Sequence, residues 1–495
     1  KISAFCIIDA KRRNEEMQVK TKRRPVVDLD IAQSDRDYVD DAIYRVTSAD
    51  LIQGNDVSLL IDAAENYPAW LEAIESAQHR IFFETYIIHD DDQGELFADA
   101  LIERARQGVT VKIIYDWLGG FGNTSRRFWR RLRSHGIEVR CYNPPTLLDP
   151  LGIISRDHRK TMAVDGHIAF VSGLCVGRYW VGDQTKGVPP WRDTGVGFTG
   201  PAVADVEAAF ADVWSTMGPP LDPHLLKKGR TSVGTGGSTA LRVVQSSPGS
   251  AQVYRLDQML AVVARERMWI SDAYFIGIPS YLQTLKDASN DGVDVRILVP
   301  QSSDIGLIPD TTRSTYRPLL EAGIRVFEWN GPMMHAKTAV FDGQYSRVGS
   351  TNLNIASWFG NYELDVLVED ETFGRKMEEM FLADLANSTE IVLSNTSQKR
   401  HKHPSRRRFK RKGGSVRKAT AGAINAATSI GSAIAGRSPL GAAEAKLLFI
   451  VSAILIAFAA LFVMFPRGTS VPVVVLLLLL AIPTLIKAIQ SYRNS

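Results

Sequence analysis

"DHRKTMAVDG" (157–166) and "MHAKTAVFDG" (334–343) carry one pattern twice in a single chain. Each holds His-x-Lys-Thr and, after the same gap, Asp-Gly, and the two histidines lie 177 residues apart. The residues that follow each lysine, "TMAV" and "TAVF", are apolar and suit a buried strand. On a strand, residues i and i+2 point to the same face, so His158 and Lys160 share one face and His335 and Lys337 another.

The similarity extends upstream. "HRIFFETYIIHDD" (79–91) aligns with "ERMWISDAYFIGI" (266–278), placing Glu84-x-Tyr86 beside Asp272-x-Tyr274 at equivalent strand ends, where both acids are expected to line a cleft. Helical stretches follow at 94–108 and 279–292, each closing on a glycine suited to a C-cap. The β-rich runs "VTVKIIYD" (109–116) and "VDVRILVP" (293–300) come next, then two more helix-Gly-strand units, "LRSHGIEVRCYN" (132–143) and "LLEAGIRVFEWN" (319–330). Strand-helix-strand-helix-strand, twice, predicts an α/β fold of two duplicated lobes, each a mixed sheet flanked by helices. The expected divisions are an extension over 1–50, lobe one over 51–218, a linker over 219–240, lobe two over 241–395, a basic tether over 396–440 and an apolar C-terminal segment over 441–495.

Two lobes related by a twofold can bring both faces to one site holding two imidazoles and two ammonium groups. Such a site suits a phosphodiester. One neutral imidazole attacks phosphorus, and the other, protonated, gives its proton to the leaving alcohol. Lys160 and Lys337 neutralise the non-bridging oxygens, so no metal or other cofactor is expected. The three cysteines, Cys6, Cys141 and Cys175, form neither a disulfide framework nor a metal-ligand spacing.

His-x-Lys-(x)4-Asp followed by Gly-Ser-x-Asn resembles the signature of the phospholipase D superfamily. The second copy matches throughout, with His335, Lys337, Asp342, Gly349, Ser350 and Asn352. The first matches at His158, Lys160 and Asp165, but its "SGLC" puts Cys175 where the resemblance expects asparagine. A thiol is a poor substitute for an amide that binds a phosphate oxygen. The resemblance implies that Ser350 and Asn352, with the two lysines, hold the phosphate. It also implies that Asp193 and Glu363 orient the imidazoles and that Asp165 and Asp342 support the fold. "IFFETYIIHDDDQGELFADALIERARQGVTVKIIYDWLG" (81–119) and "PPWRDTGVGFTGPAVADVEAAFADVW" (189–214) look like bacterial cardiolipin synthases of this type. That likeness implies the joining of two phosphatidylglycerol molecules, with loss of glycerol, through a phosphohistidine. His158 is taken as nucleophile and His335 as general acid, with the reverse open because lobe two has the fuller phosphate-binding set. A hydrolase or nuclease of the same fold, and a non-catalytic membrane scaffold, are the alternatives.

The net charge of +4 conceals an asymmetry, because residues 399–418 carry eleven Lys/Arg and no acid, leaving the remainder at about −7. Beyond that run, 446–465 and 471–489 are apolar stretches of a length that spans a hydrocarbon core at ~1.5 Å per residue. A transmembrane hairpin is expected, with both ends cytoplasmic by the positive-inside rule. The catalytic region then faces the cytoplasm at a bacterial inner membrane. The opening stretch, 1–16, shows no signal-peptide pattern. Next to such spans the basic run fits anionic lipid, phosphatidylglycerol or cardiolipin, better than nucleic acid. Lobe one also carries ten extra residues before its histidine, in "PPTLLDPLGIISRD" (144–157). Leu147, Leu148 and Leu151 there are read either as dipping into the bilayer or as packing between the lobes.

Overall fold

The computed structural model describes residues 29–145, 155–226, 237–306 and 308–393, with side chains from 38 onward. The expected transmembrane hairpin, the basic tether, the leucines of 147–151 and residues 227–236 of the linker lie outside the described residues. Among the described residues no helix is long and apolar enough to cross a membrane. Residues 1–42 group as one unit, of which the helical stretch from Leu29 is described, and residues 43–495 as another. The site lies in the second.

Each lobe holds the expected units. In lobe one, β2 (Arg80–Thr85), β3 (Thr110–Asp116) and β4 (Glu138–Tyr142) run parallel. Helices Asp92–Arg106 and Arg126–Ser134 connect them. Lobe two repeats this with β9 (Arg267–Asp272), β10 (Asp294–Pro300) and β11 (Arg325–Trp329). Gly108 and Gly292 sit just past their helices at φ +91° and +98°, a left-handed turn that a side chain would oppose. Antiparallel strands complete each lobe. Lobe one adds β5 (Thr161–Val164), β6 (Ile168–Ser172), β7 (Thr194–Thr199) and β1 (Ile52–Ile61). Lobe two adds β12 (Lys337–Phe341), β13 (Tyr345–Gly349), β14 (Glu363–Glu369) and β8 (Thr239–Ser246).

The expectation of one sheet per lobe is corrected. β1 and β8 pair with each other, making a single 15-stranded sheet in the order β15-β11-β10-β9-β12-β13-β14-β8-β1-β7-β6-β5-β2-β3-β4, where β15 is Ser388–Ile391. The order is palindromic about the β8–β1 junction, apart from β15. Pairing these two strands removes an exposed edge from each lobe. The core is continuous as well. Ala169, Val171 and Phe198 of lobe one cluster with Leu364, Val366, Met377 and Phe381 of lobe two. The lobes are therefore held in fixed register, which a site shared between them requires.

The motif aspartates act on the backbone. Asp165 accepts from the amides of Gln78, His79 and Arg80 at 2.7, 2.9 and 2.7 Å, fixing the start of β2. Asp342 does the same for Arg265, Glu266 and Arg267 at 2.8, 2.9 and 2.8 Å. Both sit in left-handed turns, at φ +54° and +53°, a conformation that Asp tolerates better than most residues. Asp342→Ala leaves three amides without their acceptor and is expected to cost about 1–3 kcal/mol. Thermal unfolding should show a lowered Tm; an unchanged Tm would contradict the role.

Candidate active site

The histidines do not lie within regular strands. Each occupies the extended approach to one, with β5 starting at Thr161 and β12 at Lys337. That approach pairs with the other lobe. The His158 amide donates to the Tyr362 carbonyl at 2.9 Å, and the Tyr362 amide to the Arg156 carbonyl at 2.8 Å. The His335 amide donates to the Arg192 carbonyl at 2.7 Å, and the Arg192 amide to the Met333 carbonyl at 2.9 Å. Tyr362 and Arg192 immediately precede Glu363 and Asp193, so these short ladders carry each acid to the histidine of the opposite lobe. His158 Nδ1 lies 3.1 and 3.0 Å from the two Glu363 carboxylate oxygens. His335 Nδ1 lies 2.7 Å from Asp193 Oδ2.

The carboxylates set the tautomers. An ionised acid beside Nδ1 requires the proton there, which leaves the Nε2 lone pair free. Burial opposes ionisation of Glu363, but His158, Lys160 and the Ser350 hydroxyl more than offset it and hold its carboxyl below the usual range. Asp193 is likewise held low against burial, by His335 and Lys337 and by hydrogen bonds from His335 and Trp180. Burial pushes His158 down to about 4, with Glu363 pulling against it and Lys160 and Lys337 adding repulsion. His335 is also lowered, by burial and by Lys337 against the pull of Asp193. Burial brings Lys337 down to about 8. Each histidine responds to the lysines of both lobes, so one electrostatic site contains all four groups.

Both ammonium groups are fastened close to the imidazoles. Lys160 donates to the His158 carbonyl and Lys337 to the His335 carbonyl, and Lys337 Nζ approaches His335 Nδ1 to 3.0 Å. Two tyrosines complete a near-symmetric frame. Tyr86 meets His158 edge-on at 5.1 Å and lies 5.2 Å from Lys160 Nζ. Tyr274 meets His335 at 5.8 Å and lies 5.9 Å from Lys337. His335 is more enclosed, because Trp180 and Trp191 also pack on it at 5.6 and 5.7 Å. Its side chain is 7% exposed, against 12% for His158.

Three sequence expectations need revision or refinement. The Ser350 hydroxyl donates to Glu363 Oε2 at 2.6 Å and accepts from the Leu364 amide, so it steadies the acid. Asn352 is buried and its amide oxygen has no hydrogen-bond partner; that oxygen only accepts, so a phosphate would have to meet the amide NH2 instead. Glu84 and Asp272 are not equivalent. Glu84 pairs across the sheet with Thr161, whereas Asp272 pairs with Lys337. Cross-strand partners share a face, and a slip of one residue reverses it. Asp272 is thus on the Lys337 side, accepting from the Tyr274 and Leu353 amides, and burial lifts it to about 7. Glu84 is on the opposite face, with Thr161 Oγ1 at 3.2 Å and Arg159 at 4.0 Å, and does not line the Lys160 side.

Other supporting residues carried no motif signal. Arg159, between His158 and Lys160, is fully buried and donates to the Glu363 carbonyl at 3.2 Å and to the Ala209 carbonyl at 2.8 Å. Arg192 is clamped by Asp384 of lobe two at 2.8 and 2.9 Å and by Asp62 at 3.2 Å. Asn361 donates to Glu363 Oε1 at 3.2 Å. Only adjacency to the histidines and acids would have pointed to these residues. Among the described residues no His/Cys/Asp/Glu group has the arrangement of a metal site.

A family model described as "Cardiolipin synthase, PLD-like domain" matches residues 70–176 and 260–385. Cardiolipin synthase A of Pseudomonas aeruginosa is 32% identical over 356 residues, 71% of each chain. Cardiolipin synthase 1 of Bacillus anthracis is 32% identical over 393 residues, 76% of each chain. Among solved structures, phosphatidylserine synthase of Haemophilus influenzae shares the fold, with a TM-score of 0.57 at 15% identity, over 72% of this chain and 92% of that one.

Proposed function

This chain belongs to the phospholipase D-like family of cardiolipin synthases, and on that footing we propose that its paired histidines transfer a phosphatidyl group from one phosphatidylglycerol to the glycerol hydroxyl of a second. It is a phosphatidyltransferase of phospholipase D type, and cardiolipin is its product. The observation that carries the mechanism is the reciprocal exchange of acids: Glu363 on His158 and Asp193 on His335, with both lysines alongside.

In the first step the lone pair on His158 Nε2 attacks phosphorus, the phosphorus–oxygen bond to glycerol breaks, and His335 delivers its proton to the departing oxygen. In the second, His335 takes the proton of the incoming hydroxyl, the new phosphorus–oxygen bond forms, and the bond to His158 Nε2 breaks. His158 suits the attacking role because, at about 4, it is neutral across the physiological range and is the more exposed imidazole. The phosphate's negative charge favours the imidazolium form of His335, so binding prepares the acid. Lys160, Lys337 and the Asn352 NH2 hold the phosphate oxygens. Cys175, buried at the position matching Asn352 in lobe one, supplies no comparable donor, so the phosphate is held mainly from lobe two.

The substrate is a membrane lipid. The apolar runs at 446–465 and 471–489 anchor the enzyme in the bacterial inner membrane with its site on the cytoplasmic side, and the basic run at 399–418 draws it to anionic lipid. Purified full-length protein with phosphatidylglycerol vesicles is expected to release cardiolipin and glycerol in equal amounts. Phosphatidic acid as the sole lipid product would overturn the transfer reading in favour of hydrolysis.

A further inference from the structure

We infer that Trp180 is the positioning residue for Asp193 and His335, taking in lobe one the part that Ser350 plays in lobe two. In lobe two, Ser350 lies fifteen residues after His335 and its hydroxyl binds Glu363 at 2.6 Å. The residue fifteen after His158 is Gly173. A Cβ there would overlap the Asp193 carboxylate, so a serine is excluded while that acid holds its place. Aspartate is one methylene shorter than glutamate, and its carboxylate sits back over the glycine.

The missing donor comes from elsewhere. Trp180 Nε1–H donates to Asp193 Oδ2 at 3.0 Å, the same oxygen that lies 2.7 Å from His335 Nδ1. The Thr194 amide binds the other oxygen at 2.9 Å. An indole N–H has no acceptor function, so this bond has one direction only. Trp180 is 2% exposed and its turn is fixed on both sides. The Gly177 amide donates to Tyr67 Oη at 3.0 Å, and Gly182 takes φ +77°. Lobe two provides the contrast. Trp358 follows its Gly-Ser-Thr-Asn element and is also buried, yet it packs on Tyr254 and Tyr281 and its indole N–H has no hydrogen-bond partner, while Ser350 serves Glu363. The two lobes thus hold their acids by different chemistry. The inference rests on the proposed role of His335.

Trp180→Phe removes the N–H and keeps a ring. Asp193 then loses a donor that stabilised its charge and becomes the stronger base, which raises the pKa of His335. The variant should lower kcat on the order of tenfold with KM within about twofold. The limb of the kcat profile governed by His335 should move to higher pH. Trp358→Phe is the control and should change neither. A Trp180→Phe variant that leaves kcat and the pH profile at wild type overturns the inference, as does one that loses stability without a pH shift. A measurement without turnover separates this from failure of the transfer reading and does not depend on the variant folding. In full-length protein with 15N-indole tryptophan, whose chain has nine tryptophans, the hydrogen-bonded, downfield indole N–H of Trp180 should shift as His335 titrates, beyond the response of Trp191 packed on the same ring, and lose that response in His335→Ala. Absence of any such signal refutes the bond.

Discussion

His158→Ala is expected to abolish cardiolipin formation, by about ten-thousandfold or more, and with it any covalent phosphatidyl-enzyme; losses of this size accompany removal of a nucleophile. His335→Ala should fail differently. Without a proton donor the glycerol leaves slowly, and turnover should drop by roughly 10²–10⁴-fold. A phosphodiester whose leaving group needs no proton bypasses that defect. With such a substrate His335→Ala should still give a burst and trap labelled phosphohistidine, because resolution by the second alcohol also needs His335, as base. His158→Ala should give neither burst nor label. Label retained in His158→Ala and lost in His335→Ala would reverse the assignment. The surroundings of the two rings make the asymmetry physical. Both imidazoles are pushed down by burial, but His335 has Lys337 within 3.0 Å of its ring and three aromatic neighbours, and His158 has Glu363 spread across both of its oxygens.

Periodicity and turn chemistry make the lobes legible in the amino-acid sequence. The glycines at 108 and 292 and the aspartates at 165 and 342 each perform a local backbone task, and local tasks leave local signatures. The histidine and lysine spacing is legible for the same reason. What the sequence does not display depends on contacts between residues far apart in the chain. Glu363 lies 205 residues from His158 and Asp193 lies 142 from His335, so nothing in either motif says that the acids cross. Glu84 and Asp272 align in sequence yet fall on opposite faces, because the lobes reach their tyrosines differently. The anchoring amides of Asp165 and Asp342, at 78–80 and 265–267, are offset by 187 residues, whereas Tyr86 and Tyr274 are offset by 188. One residue is absorbed between strand start and tyrosine, and in a strand one residue reverses every side chain. The partner of Ser350 is hidden for a related reason: nothing in its motif points to the acid, thirteen residues on, that only folding brings to the hydroxyl.

Glu363→Gln is the sharpest test of the crossing. Replacing the carboxylate by an amide keeps size and shape, and removes the negative charge that opposes burial around His158. The pKa of His158 then falls further below about 4, so the imidazole stays neutral at pH 7 and protonation cannot explain any loss. The loss comes from the tautomer. A glutamine can turn its NH2 toward Nδ1, which puts the ring proton on Nε2 and removes the lone pair that attacks phosphorus. An acid-to-amide change of this kind has cost about 10⁴-fold in a histidine-dependent hydrolase, and on the order of 10²–10⁴-fold in kcat is expected here. The step affected tells which histidine Glu363 serves. With a substrate whose leaving group needs no proton, Glu363→Gln should lose the burst, because the attacking imidazole is mis-set, while Asp193→Asn should keep it and stall at the covalent stage. If each acid served the histidine of its own lobe, the pattern would invert: the burst would survive Glu363→Gln and vanish in Asp193→Asn. That inversion is incompatible with distances of 3.0 Å from Glu363 to His158 and 2.7 Å from Asp193 to His335, so the burst experiment tests the domain-crossed site directly.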